Sequence, residues 1–102
     1  MRAWLGVVMI SIEIPCSGSL KDRRQVVRSL TDRIRRHFNA SVSDLGPDSR
    51  NRADLAAAYV GSSHQETETR MGQFRSFLDS AEETGEFVIL DIEHEVFGYG
   101  DV

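Results

Sequence analysis

Between Lys21 and Arg36 the chain carries seven basic side chains, Lys21, Arg23, Arg24, Arg28, Arg33, Arg35 and Arg36, against only Asp22 and Asp32. At about 100° per residue, Lys21, Arg24, Arg28 and Arg35 fall within roughly 60° of one another on a helix. Arg36 points outward and Arg33 lies on the far side. A row of fixed cations along one flank is what a phosphate backbone needs, because it neutralises successive charges and releases their counterions. Each guanidinium can also grip phosphate through two parallel hydrogen bonds. The competing reading is a solvated helix face whose charges pair with acidic residues elsewhere. Those are available: from residue 63 onward there are ten acidic residues against Arg70 and Arg75. The net charge is -4, so the basic element is local and does not give the whole chain affinity for nucleic acid.

The turn before this segment, "PCSGS", is the second place where chemistry could occur. It joins a strand-like run to a helix start, with Ser19 as N-cap and Lys21, Arg23 and Arg24 close by. Free amides and the dipole at a helix N-terminus attract anions, so Ser19 joins Lys21, Arg23, Arg24, Arg28 and Arg35 as a candidate for nucleic-acid or anion binding. An enzyme acting on a phosphorylated small molecule here is the least favoured reading, since the spacing of a P-loop is absent. Asp91, Glu93 and Glu95 share one face of a strand at about 7 Å intervals; they read as the solvent face of an edge strand, where charge discourages aggregation. His37, His64 and His94 are scattered without ligand spacing. Cys16 lacks an identifiable catalytic partner. No metal, cofactor or catalytic residue is expected.

The elements that must position these groups can be read from periodicity. "AWLGVVMISIEIP" is apolar on both parities at first, which suits a central strand. Trp4, Val8, Ile10, Ile12 and Ile14 share one face, and Leu5, Val7 and Met9 the other. Leu20, Val27, Leu30, Ile34 and Phe38 give the first helix, roughly 20–37, its apolar stripe. "NASVSDLG" is a short strand, "GPDSRNR" a loop and "ADLAAAYV" a third strand. Ser63 and Glu66 match a capping box opening a second helix over about 64–83, with Met71, Phe74, Leu78 and Ala81 as its stripe. Gly72 within it implies close backbone packing. "EFVILDIEHEVF" is the last strand, with Val88, Leu90 and Ile92 on one parity, and residues 97–102 read as a loose tail.

The order β-α-β-β-α-β names an α+β ferredoxin-like sandwich, a four-stranded antiparallel sheet with both helices on one face. A length of 102 residues fits a single domain over 1–102. The other sheet face stays open and carries Leu5, Val7 and Met9, which makes a homodimer through that face an expectation. An RNA-recognition motif has the same topology but needs stacking aromatics on its central strands; only Tyr59 and Trp4 are present there. No apolar run reaches the ~20 residues of a membrane span, and no cleavable leader is recognisable. A single cysteine excludes an internal disulfide. The expected compartment is the cytoplasm, with no membrane partner.

One block is more specific than composition. Ile14-Pro15, Ser19-Leu20-Lys21-Asp22-Arg23-Arg24 and Phe38-Asn39-Ala40-Ser41-Val42-Ser43-Asp44 stand in the order found in the YlxP-like proteins, bacterial domain-of-unknown-function family 503. "RADLAAAYVGSS" and "VILDIEHEV" also look like that family, so the resemblance covers about 1–96. Cys16 stands where the family usually has glycine, and Gly18 where a larger residue is common. The resemblance implies a ferredoxin-like fold and no established activity. The family's genes often lie near those for translation initiation factor two and ribosome-binding factor A, which implies a link to RNA or the ribosome by association. The sequence therefore predicts a small, non-enzymatic binding module that touches RNA or the ribosome through its first helix. A homodimeric scaffold or regulatory domain using the sheet face is the alternative.

Overall fold

A computed structural model describes residues 1–101. The order is β1 (Arg2–Glu13), α1 (Leu20–Phe38), β2 (Ser41–Ser49), β3 (Arg52–Gly61), α2 (His64–Glu82) and β4 (Val88–Gly100). The strands form one antiparallel sheet in the order β2-β3-β1-β4. This is the ferredoxin-like arrangement. β1 and β3 are central because their alternate residues are apolar on the buried side and small or apolar on the other.

Alternation sends Val8, Ile10 and Ile12 of β1 toward the helices, where they meet Ala53, Leu55 and Ala57 of β3. α1 contributes Val27, Leu30, Ile34 and Phe38, and α2 contributes Met71, Phe74, Leu78 and Ala81. Phe38 and Phe74 meet with ring centroids 4.8 Å apart where the helices converge. Gly6 is needed here: a Cβ on it would come within 2.7 Å of the Met71 thioether. Ser19 caps α1 by accepting from the Asp22 amide at 3.1 Å, and Ser63 caps α2 by accepting from the Glu66 amide at 3.1 Å. Asn39 closes α1 in the left-handed region, its amide donating to the Arg35 carbonyl.

Several expectations are corrected. The last strand does not stop at Phe97. β4 pairs with β1 as far as Gly100 opposite Arg2, so most of the stretch expected to be a loose tail is sheet; Val102 lies outside the described residues. A register shift opposite Ser11 and Ile12 leaves Leu90 as an extra residue, a bulge that flips the parity of everything after it. Ile89 and Ile92 consequently share the helix-covered face, while Val88 and Leu90 are exposed. β2 runs on to Ser49 with irregular pairing, shortening the expected loop. Leu20 is largely exposed, and a Cβ at Gly72 would meet nothing within 4 Å, so that glycine marks no close packing.

Candidate nucleic-acid interface

The basic residues of α1 divide into three groups. Arg23 sits about four residues before Val27, inside the apolar stripe and not beside it. Its side chain is 8% exposed. Nε donates to the Arg52 carbonyl at 2.7 Å, and Nη1 and Nη2 donate to the two oxygens of Asp44 at 2.9 and 3.1 Å. The paired guanidinium holds the Asp44 carboxyl below its ordinary value, against the desolvation that would raise it. The same bond holds the Arg23 guanidinium above its own. Arg23 therefore ties α1 to β2 and to the start of β3. With three of its five N–H donors engaged and its side chain buried, it is not presented to solvent, which removes it from the candidate anion-binding residues.

Arg35 is the second case. Its Nη2 donates to the Val42 carbonyl at 3.0 Å, and Nη1 lies 3.4 Å from Asp32. It folds over the sheet edge instead of extending the row. Arg33 lies over the Phe77 ring at 5.4 Å, and Arg36 Nε reaches the Asp32 carbonyl at 3.4 Å.

Lys21, Arg24 and Arg28 form the third group. With Gln25 they line a shallow groove on the outside of α1. All three are exposed. Among the described residues no hydrogen bond or ion pair engages their charged ends, and no ion pair joins α1 to an acidic residue of α2 or β4.

The turn over 15–19 is closed by the chain itself. The Gly18 amide donates to the Asp22 carboxylate at 3.0 Å, the Asp22 amide to Ser19 Oγ, and Ser17 Oγ to the Ser19 carbonyl at 2.9 Å. An acidic side chain thus occupies the helix N-terminus where an anion was expected, and Ser19 acts as a cap. Cys16 is exposed beside it.

The fold also assembles what the sequence leaves scattered. Glu68 lies between His64, at 3.9 Å, and His94, at 3.6 Å, and Arg75 Nε donates to His94 Nδ1 at 3.0 Å. His64 and Glu68 are one helical turn apart, but His94 reaches them only through β4. No group of three or more His, Cys, Asp or Glu able to hold a metal ion occurs among the described residues. Tyr59 faces the helices and donates to Glu66, which keeps its phenol above the ordinary value. The open faces of β1 and β3 then carry Leu5, Val7, Met9, Ala56, Ala58 and Val60, so these two strands lack the base-stacking rings of an RNA-recognition motif, and the exposed rings of that face, Phe97 and Tyr99, stand on the edge strand β4. No helix among the described residues is long and apolar enough to cross a membrane.

The sheet order, the two capped helices on one face and the exposed basic flank define a ferredoxin-like α+β domain whose charged site lies on a helix. Residues 5–94 match a family model described as protein of unknown function (DUF503). The chain belongs to that family. It is also 35% identical over 65 residues to the uncharacterised protein YlxP of Bacillus subtilis (strain 168), an alignment covering 63% of this chain and 71% of that protein.

Proposed function

We propose that the protein is a cytoplasmic, non-enzymatic binding module that contacts the phosphates of structured RNA, within the ribosome or a related particle, through Lys21, Arg24 and Arg28. The observation that carries this reading is the state of those three cations: exposed, aligned on one flank of α1 and unneutralised within the described chain. An acidic protein that keeps three such groups together maintains a local positive potential against its own field. The turn supports binding over chemistry, because the Asp22 carboxylate already takes the Gly18 amide and places a negative charge at the helix start where a phosphorylated substrate would sit.

Three phosphate contacts have a signature. The logarithm of the binding constant should fall with the logarithm of salt concentration with a slope of roughly -2 to -3. Filter binding to structured RNA at several salt concentrations measures it. Arg24→Glu with Arg28→Glu should abolish binding, whereas Arg23→Met should leave the slope unchanged, since its guanidinium faces inward. No binding by the native protein at low salt, or binding indifferent to the double reversal, overturns the proposal.

A further inference from the structure

The sheet face opposite the helices is built in columns. β1 presents the bulky Leu5, Val7 and Met9, and β3 presents Ala56, Ala58 and Val60 directly beside them. Across the middle rows the outer columns are polar, with Ser41 and Ser43 on β2 and Asp91, Glu93 and Glu95 on β4, while exposed Phe97 and Tyr99 continue the β4 column beside Leu5 and Ala3. An apolar centre with a polar margin is the anatomy of a protein interface. Its extent is adequate: four strands at about 4.8 Å and ten residue steps at about 3.4 Å give roughly 600 Å² in projection, near the ~800 Å² per partner of a standard interface.

We infer that this face receives a second copy of the chain, related by a two-fold axis that lies parallel to the strands and passes between β1 and β3. Such an axis keeps each row at its own height and exchanges the columns. β1 of one copy lies over β3 of the other, so Val7 and Met9 enter the shallow column left by Ala58 and Ala56. β4 lies over β2, so Glu93 and Glu95 meet the Ser43 and Ser41 hydroxyls, which can donate to them. At the end of the face, Arg52 comes over Glu13. Large side chains meet small ones, carboxylates meet donors, and a cation meets an anion.

The other in-plane two-fold, perpendicular to the strands, would set β4 over β4 and press Glu93 and Glu95 against their counterparts. Charge complementarity therefore selects the parallel axis. The natural twist of each sheet sets the two copies about 30° from exact alignment. This interface is on the side of the sheet remote from α1, so it stands independently of RNA binding.

Sedimentation equilibrium over a range of micromolar concentrations tests the inference. The native protein should sediment as a dimer of the 11.5 kDa chain. Met9→Glu and, separately, Val60→Glu should raise the dissociation constant at least about a hundredfold, because the two-fold applies each change twice. Both side chains are exposed in the single chain, at 45% and 65%, so both variants should keep the native circular dichroism and melt cooperatively. Glu95→Lys should leave the dimer intact, since it faces serine; marked tightening would favour the rejected axis. A native protein that remains monomeric throughout, or a dimer indifferent to both central substitutions, overturns the inference and leaves the face to a different protein.

Discussion

The two ends of the Arg23–Asp44 pair should tolerate removal unequally. Arg23 is 8% exposed along its side chain and Asp44 37%. Asp44→Ala leaves a buried guanidinium holding a single bond, to the Arg52 carbonyl. Stranding one partner of a fully buried pair costs about 3–5 kcal/mol. Because the Asp44 side is open to water, which can solvate the freed Nη groups, the figure falls to about 2–3 kcal/mol. Arg23→Met keeps much of the apolar stem in place. It leaves Asp44 accepting from the Gly46 amide and from water, and it orphans only the Arg52 carbonyl, at about 1–2 kcal/mol. For a domain of this size each kcal/mol is worth about 4–8 °C in Tm. Thermal unfolding at neutral pH should therefore show Asp44→Ala lowered by about 10 °C or more and Arg23→Met by roughly half as much. A larger loss for Arg23→Met, or a negligible loss for both, would refute the reasoning that desolvation of the arginine dominates this pair.

Two further outcomes follow from the same structure. Gly72→Ala, at an exposed mid-helix position with room for a methyl group, should stabilise the protein by up to about 1 kcal/mol; urea denaturation reads this as a raised midpoint with an unchanged m-value. The carboxyl of Asp44 is held below its ordinary value by Arg23, so its contribution is complete above the unfolded-state value of about 3.9 and disappears as pH falls through the native value. The loss of stability on acidification below about pH 4 should accordingly be shallower in Asp44→Ala than in the native protein.

The fold was legible because each buried segment repeats at the period of its element. Val8, Ile10 and Ile12 alternate, and Val27, Leu30, Ile34 and Phe38 recur along one helical stripe, so the six elements and their order follow directly. Parity in β4 was not legible, because a bulge inserts Leu90 with no local signal; "VILDI" reads equally well in either phase. In the candidate site the helical angle puts Lys21, Arg24 and Arg28 on one flank but adds Arg35 to it, and the turn of Arg35 onto the Val42 carbonyl depends on β2 and is not legible in that angle. The role of Arg23 was present in the same wheel: its direction, about 40° from Val27, falls within the apolar stripe. Its charge and its closeness to the 15–19 turn point instead to an anion contact. Its partner Asp44 could not be found this way, since a contact across 21 residues depends on how β2 docks. The meeting of His64 and His94 at Glu68 is likewise a product of tertiary pairing.

Separating Arg23 from its neighbours changes what the basic helix can do. A binding surface works best when it is rigid before its partner arrives, because ordering costs are then already met. The helix that presents Lys21, Arg24 and Arg28 is fixed from beneath by three hydrogen bonds of Arg23 to β2 and β3, and Ser19 and Asp22 fix its first turn. The cation nearest the fold is thus used to hold the other three in register, and the carboxylate at the helix start closes the site where a small anion would compete. Pairing through the open sheet face would leave this arrangement untouched, since both helices of each copy then lie on the outer layers. Two basic flanks would face away from each other across four layers, roughly 30–40 Å apart at about 10 Å per layer. At that separation one phosphate backbone segment cannot lie along both, so a dimer would join two RNA segments instead of strengthening its hold on one.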